Sequence, residues 1–441
     1  MKRIVGLITA AAAAAGMALA PASTVAQGAE QYAPVLSYRT GPYAPNGIPV
    51  ANGTVDYLKL VNAKGGIHGV KFKIEECEFA YDTAKGIECY ERMKGKNGGA
   101  AIVQSISTGV TNALLKKAPE DKVSLVIAGY GTPAAADGSV FKWVFPVVPN
   151  YFVAADVMMQ AIGAKAGGLD KLKGKSIDYV YMDAPFGHEF MPVFDAYAAK
   201  YGFTLGKLPV TAPGLDQKST WLQVRRDKPD YVLYVGYGVM NPTALKEAQS
   251  VGYPRDKIYA FWWAGSESDV KGVEEAAKGY NAAALQASAN RDAKVIKEVQ
   301  ALLYDKGLGT AEDRKSVGDV LYVRGLITGM LTAETVRIAQ EKFGKGKPIT
   351  GEQAQWALEH FDLTPQRIEE LGFGGIIQPL KTTCAQHMGS YAARMSVWDG
   401  KEWKIDSDWY EGNRQIIDPL IKQFADKYAA DNKIERRKCD N

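Results

Sequence analysis

Four histidines, His68, His188, His360 and His387, are the first residues to test for chemistry, and no two of them share a metal-ligand spacing. Neither a Gly-x-Ser-x-Gly nucleophile elbow nor a His-Glu-x-x-His pair occurs. Gly168 to Ser176, GLDKLKGKS, resembles a phosphate loop but carries five residues between its glycines where four are needed. It also precedes a strand, whereas a phosphate loop must open a helix, so it reads as a surface loop. Asp82, Asp183 and His188 form one conceivable acid–base set, and without a partner pattern they read as satisfied loop residues. No cofactor fingerprint accompanies them. What recurs instead is the chemistry of capture. Hydroxyls, amides and rings cluster in Arg39 to Gly47, in Gln104 to Gly109 and in Gly129 to Pro133. Ser107 and Thr108 would place hydroxyls beside the first amides of a helix, a seat for a carboxylate, with simple helix capping as the alternative.

These clusters follow strands, and the carboxyl ends of strands in an open α/β sheet face the ligand crevice. Leu58 to Asp82, LKLVNAKGGIHGVKFKIEECEFAYD, shows the pattern most plainly. An amphipathic helix stops at Gly65-Gly66, because glycine enters the left-handed conformation without strain. A half-solvated strand then alternates from Lys71 to Glu78. The strands expected are Tyr32–Tyr38, Phe72–Glu78, Ala100–Gln104, Val123–Ile127, Ile177–Met182, Tyr231–Gly236 and Ile258–Trp262. Helices are expected at Val50–Asn62, Thr83–Lys94, Gly109–Ala118, Tyr151–Ala166, Phe190–Tyr201 and Pro242–Val251. Such alternation predicts parallel α/β sheets with right-handed crossovers. The rhythm pauses between Phe145 and Asn150, a proline-extended segment that marks a crossing between two lobes. A long helix at Gly318–Lys342 and a hairpin around Asp399-Gly400 complete the pattern.

Composition sets the class. At 441 residues the chain exceeds one small core, and 46% hydrophobic content with 23 Tyr and 8 Trp marks a globular protein. Formal charge is +4, or +2 once Lys2 and Arg3 are removed with a leader, which favours neither nucleic acid nor a membrane surface. Residues 1–26 read as a signal peptide: a basic start at Lys2-Arg3, an Ala-rich apolar run from Ile4 to Ala20, then small residues at Thr24 and Ala26. No cysteine near the cleavage region offers a lipid anchor, so an exported, periplasmic protein is expected. Four cysteines in an oxidising compartment suggest two disulfides. Cys77 on a strand and Cys89 on the following helix suit a staple, which leaves Cys384 and Cys439 to tie the tail to the body; four free thiols are the alternative.

Gly41-Pro42 with Asn46-Gly47, Val61 to Gly69, Tyr81-Asp82, Tyr234 to Tyr237 and Ala248 to Tyr253 together resemble the periplasmic solute-binding proteins of ABC importers. The similarity is to the leucine/isoleucine/valine-binding group, with the type I two-lobed fold, and is weakest after about residue 350. The resemblance implies two Rossmann-like α/β lobes with parallel sheets, joined by a three-crossing hinge that closes on a solute. Lobe one would comprise residues 30–148 and 285–379, and lobe two residues 149–284 and 380–441. It implies a non-enzymatic receptor, without metal or cofactor, that acts as a monomer and delivers its solute to a membrane permease. A ligand-sensing subunit of the same fold is an alternative. Carried over by local alignment, the ligand contacts fall at Tyr43 or Asn46, at Ser105 and Ser107, and at Tyr130 and Gly131 in lobe one. In lobe two they fall at Phe186, Tyr237 and Trp263. Amino-acid-binding relatives hold the ammonium on an acidic residue after the strand equivalent to Ile258–Trp262; here Phe261 to Ser266 has none, and Glu267 lies three residues beyond Ala264. Rings at Tyr43, Tyr130, Phe186, Tyr237, Trp262 and Trp263 suit an aromatic or apolar carboxylic acid, with Ser107 for its carboxylate and Arg39 as a charged partner or a solvent-facing residue. Branched-chain amino acids anchored by Glu267 are the runner-up.

Overall fold

The computed structural model describes residue 1, residues 29–288 and residues 291–439. The expected signal peptide, beyond its first residue, lies outside the described residues. Two sheets organise the chain. The first is wholly parallel, in the order β2-β1-β3-β4-β5, built from β1 (Glu30–Ser37), β2 (Lys71–Glu78), β3 (Ile102–Gln104), β4 (Ser124–Val126) and β5 (Val144–Phe145). β1 pairs along its length with β2 and is buried from its second residue onward, whereas the edge strand β2 alternates between solvent and core. The second sheet runs parallel through β6 (Ser176–Met182), β7 (Thr204–Val210), β8 (Tyr231–Val235), β9 (Ile258–Ala260) and β10 (Asn281–Ala284). A small hairpin sheet pairs β11 (Asp362–Leu363) with β12 (Leu380–Lys381). Antiparallel strands β13 (Ala392–Trp398), β14 (Trp403–Ile405) and β15 (Tyr410–Glu411) then extend the second sheet beyond β10.

The chain passes between the sheets three times. After β5, Asn150 caps the Tyr151–Ala166 helix by accepting from the Phe152 and Val153 amides, and that helix packs on the second sheet's side. After β10, the Ala287 amide bonds to the Ile376 carbonyl and the Lys294–Leu302 helix packs against the Ala44–Ala63 helix of the first lobe. After β12, residues 382–391 lead into β13. The 24-residue Val320–Phe343 helix lies along Ala44–Ala63 with backbone against backbone. A Cβ on Gly53 would stand 2.1 Å from the Tyr322 oxygen, and one on Gly325 would stand 2.2 Å from the Val50 oxygen. The C-terminal helix, Arg414–Asn432, touches both sides, packing on Tyr151–Ala166 and Met191–Tyr201 and also on the Pro133–Ala136 turn.

The expected elements are present, with shifted ends, and the pattern misses six strands, β5, β7, β10, β11, β12 and β15. Tyr151–Ala166 is a helix at the expected bounds, and the Asp399-Gly400 turn joins β13 to β14. Gly65 and Gly66 have φ of 99° and 83°, and the Gly66 amide closes on the Val61 carbonyl, so the expected helix stop is built by glycines in left-handed space. β5 is only two residues long, β7 contains Gly206 and Pro209, and β10 reads Asn-Ala-Ala-Ala. β5 has favourable residues but is too short to show a period, β7 and β10 carry residues that disfavour strands, and partners in the sheet hold all three. The Gly168–Ser176 segment is a single 3-10 turn leading into β6. Both disulfides, Cys77–Cys89 and Cys384–Cys439, are formed. Among the described residues no helix is long and apolar enough to cross a membrane.

Candidate functional site

The carboxyl ends of β1, β3 and β4 face those of β6, β8 and β9, and the loops between them bring aromatic rings together from both lobes. Tyr38, Tyr43, Tyr81 and Tyr130 come from the first lobe; Phe186, Tyr237 and Trp263 come from the second. Tyr43 stacks on Tyr237 with ring centres 5.7 Å apart, and Tyr130 tilts over Trp263 at 4.4 Å. Tyr81 approaches Tyr38, Tyr43 and Tyr237, and Phe186 meets Tyr237 edge-on. The Tyr38 hydroxyl shares hydrogen bonds with the hydroxyls of Tyr130, at 2.8 Å, and Tyr237. Burial pushes the Tyr38 phenol up to about 12, with Tyr130 and Tyr237 also raised, so the cluster is uncharged near neutrality.

Polar groups fasten the lobes around these rings. The Trp262 and Trp263 indoles both donate to the Gly129 carbonyl, at 2.8 and 2.6 Å. Asn46 reaches across to the Trp263 carbonyl at 3.3 Å and to Asp269 at 3.1 Å. Asp269 also accepts from Asn241 and Ser266, and its burial raises its pKa to about 6. The Val239 amide donates to the Pro42 carbonyl at 3.2 Å.

Two ionisable side chains at this interface, Arg324 and Glu189, make no ion pair among the described residues, although the Asp269 carboxylate acts on Arg324 from farther off. Arg324 projects from the Val320–Phe343 helix and is only 2% exposed. Its Nε donates to Gln286 at 3.1 Å, its Nη1 donates to the Trp262 carbonyl at 2.7 Å, and the guanidinium lies 4.4 Å from the Trp263 ring centre. Burial lowers its pKa to about 10, so it stays a cation at neutral pH. Glu189, just past the short Pro185–His188 helix, is the second. Both of its carboxylate oxygens accept from the Thr132 amide, at 2.9 and 3.0 Å, and burial raises its pKa to about 8. Gly131 leaves the space it occupies, since a Cβ there would stand 2.2 Å from Glu189 Oε2.

Of the residues singled out from the sequence, Tyr43, Tyr130, Phe186, Tyr237 and Trp263 meet in the ring cluster. Trp262 lies beneath it, and Asn46 ties the lobes together. Gly131 borders the Glu189 carboxylate. Ser107 caps the Thr108–Leu114 helix by accepting from Val110. Ser105 bonds to Thr111 at 2.6 Å within that same turn. Arg39 lies apart from the rings, held by Glu76 and by Asn52 at 2.7 Å. Glu267 also lies apart, accepting from the Val320 amide at 3.0 Å at the head of the long helix. His188 pairs with Asp183 at 2.7 Å, while His68, His360 and His387 bond to Gln340, the Trp356 carbonyl and the Val144 carbonyl. Sequence reading misses Tyr38, Glu189 and Arg324. Arg324 does leave a signal, as the lone charge in the apolar run Val320 to Leu331.

A family model described as periplasmic binding protein matches residues 30–402. A solved structure named an ABC transporter permease, from the Pseudomonas fluorescens group, is 38% identical with a TM-score of 0.86, covering 93% of this chain and 99% of that one. A branched-chain amino acid ABC transporter from Thermus thermophilus with bound valine is 18% identical, with a TM-score of 0.76 over 89% of this chain and 98% of its own. A solute-binding protein from R. palustris in complex with benzoate is 17% identical, with a TM-score of 0.66 over 85% and 95%. The last two show likeness of fold. No curated protein matches the chain. Two facing α/β lobes, a ring-lined interface and a family match over most of its length place this chain in the periplasmic binding protein family, as the extracytoplasmic solute receptor of an ABC importer.

Proposed function

We propose that the solute this receptor hands to its permease is an aromatic or other apolar carboxylic acid. The observation that carries the reading is Arg324, a buried cation stacked on Trp263 among rings, to which no carboxylate is bonded among the described residues, Asp269 acting on it only from farther off. Withholding a guanidinium from water costs several kcal/mol unless an anion repays it, and a carboxylate matches its fork of donors. The rings of Tyr43, Tyr130, Phe186, Tyr237 and Trp263 offer a flat apolar body its stacking partners. Ser107 adds a hydroxyl beside Tyr81. Glu267 is engaged at the head of the long helix, which argues against its serving as an ammonium anchor. In this reading lobe one is residues 30–148 and 285–379, lobe two is residues 149–284 and 380–441, and the two close on the solute as a hinge. Calorimetry with benzoate-type and cinnamate-type acids, against leucine and valine, tests it. Micromolar or tighter binding of an aromatic acid is expected; tight leucine binding with no response to any aromatic acid overturns it.

A further inference from the structure

Beside the ring cluster, and still between the lobes, lies a cavity of about 480 Å³. The first lobe contributes Asn112, Thr132, Pro133 and Phe141, the second contributes Phe152, His188, Glu189 and Pro192, and the C-terminal helix covers it with Phe424 and Tyr428. That volume is within the range of small-molecule sites, and the lining is mostly apolar. Glu189 is its only carboxylate, and no lysine or arginine lines it.

A carboxylate has about four acceptor positions, and Glu189 spends its two oxygens on a single amide, that of Thr132. The other polar side chains of the lining are Asn112, Thr132, His188 and Tyr428, and the Thr132 hydroxyl donates to Asn112 and not to Glu189. His188 turns its ring to Asp183, the Thr108 hydroxyl accepts from the Gly131 amide, and the phenols of Tyr81, Tyr151 and Tyr179 lie near the Glu189 charge without bonding to it. Glu189 is half-buried, so water can serve its remaining acceptor positions until a solute fills the cavity and displaces that water, and the solute must then supply a donor itself.

We infer that Glu189 selects the solute, requiring it to present a hydrogen-bond donor, ammonium or hydroxyl, at the end that reaches this cavity. The inference rests on the carboxylic-acid reading, with Arg324 taking one end of the solute and Glu189 the other. A solute with a methyl group in place of the donor fits the same space and leaves Glu189 short. Specificity of this kind is strong because a site built around a polar group penalises the analogue that lacks it.

The test is calorimetry on the mature protein with 4-(aminomethyl)benzoate, 4-hydroxybenzoate and the isosteric 4-methylbenzoate, in wild type and Glu189→Gln. The wild type is expected to prefer at least one donor-bearing acid over the methyl analogue by about tenfold or more. The variant, shown to be folded by its melting curve, should lose most of that ratio. The two donor arms separate the sources: as pH rises through the Glu189 titration an ammonium gains a charge pair and its preference grows steeply, whereas a hydroxyl gains only a charge-assisted hydrogen bond and its preference grows less, and both are flat in the variant. A methyl analogue that binds wild type as tightly as both donor-bearing acids overturns the inference, as does an undiminished preference in Glu189→Gln. If no aromatic acid binds at all, the carboxylic-acid reading fails by itself. In that event 4-methylbenzylamine probes Glu189 alone: a thermal shift in wild type that Glu189→Gln loses supports the inference, and equal or absent shifts sink it.

Discussion

Arg324 and Glu189 are one residue each, yet they set the electrostatics of the lobe interface. Replacing Arg324 with Met keeps the length of the side chain and its contact with Trp263 while removing the charge. Affinity for an aromatic acid should fall by about 10- to 100-fold, the worth of a buried charge-assisted pair. Thermal stability should hold or rise, because removing an unpaired buried charge relieves its desolvation. A variant that binds the acid as wild type does would exclude Arg324 as the counter-ion, by the same calorimetric titration. Acidity supplies a second test. Burial raises Glu189 from 4.5 to about 8, Glu267 from 4.5 to about 7 and Asp269 from 3.8 to about 6. The folded protein therefore holds protons that the unfolded chain has already released, and each of these groups costs stability as pH rises through its window. His387 acts in the opposite sense: burial lowers its pKa, so it adds stability as pH rises toward 6.5. Melting temperature should fall between about pH 6.5 and 8, where Glu189 and Glu267 alone among these groups still titrate. Glu189→Gln should flatten the upper part of that fall, and a profile parallel to wild type would refute the assignment.

At the scale of elements, the Ala44–Ala63 and Val320–Phe343 helices meet through glycines where no side chain fits. Gly53→Ala and Gly325→Ala each push a methyl into the facing helix backbone, which cannot rotate away as a side chain can. Losses of about 1–3 kcal/mol are expected in urea unfolding, as for other overpacked cores. Because Arg324 adjoins Gly325, the second substitution should also weaken solute binding. The C-terminal helix behaves as a strap. Its tail is pinned by Arg436 to Asp137 at 2.8 Å, by Arg437 to Glu359, and by the Cys384–Cys439 bond. On the chain-entropy relation, removing Cys77–Cys89, with a separation of 12, costs about 3 kcal/mol, and removing Cys384–Cys439, with a separation of 55, costs about 4 kcal/mol. Paired Cys→Ser variants compared by denaturant midpoint check both magnitudes and their order.

For the whole molecule, binding and folding are linked because the solute contacts both lobes at once. At one hundred times its dissociation constant, a solute that binds only the folded protein adds about 2.7 kcal/mol. The rise in melting temperature with concentration should follow that logarithm, and a saturating shift of another form would point to binding elsewhere. The contacts that join the lobes combine ring stacking, as of Tyr43 on Tyr237 and Tyr130 on Trp263, with polar links, among them Asn46 to Asp269, both indoles to Gly129 and Glu189 to Thr132. The polar links trade for water at modest net cost when the lobes part, and a flat solute can take the place of the ring-on-ring contacts.

Sequence alone determined the layered α/β class, because strand and helix periods are local and repeat along the chain. It also gave the Tyr151–Ala166 helix, the glycine stop at Gly65-Gly66 and both cysteine pairings, each a matter of neighbours or of four residues taken in pairs. Most of the rings that cluster between the lobes were legible, because strand ends in such sheets point toward one crevice. β5, β7 and β10 were not: β5 is too short to show a period, β7 is broken by Gly206 and Pro209, β10 is mostly Ala, and pairing partners hold all three in the sheets. Charge placement was the least legible. Arg39 and Arg324 are the same side chain, and only the fold sends one to Glu76 and buries the other against Trp263. Glu189 and Glu267 divide in the same way, one beside Gly131 and the other at the head of a helix. A charge takes its meaning from what surrounds it in space, and residues 189 and 132, or 324 and 263, become neighbours only when two sheets and three crossings bring them together.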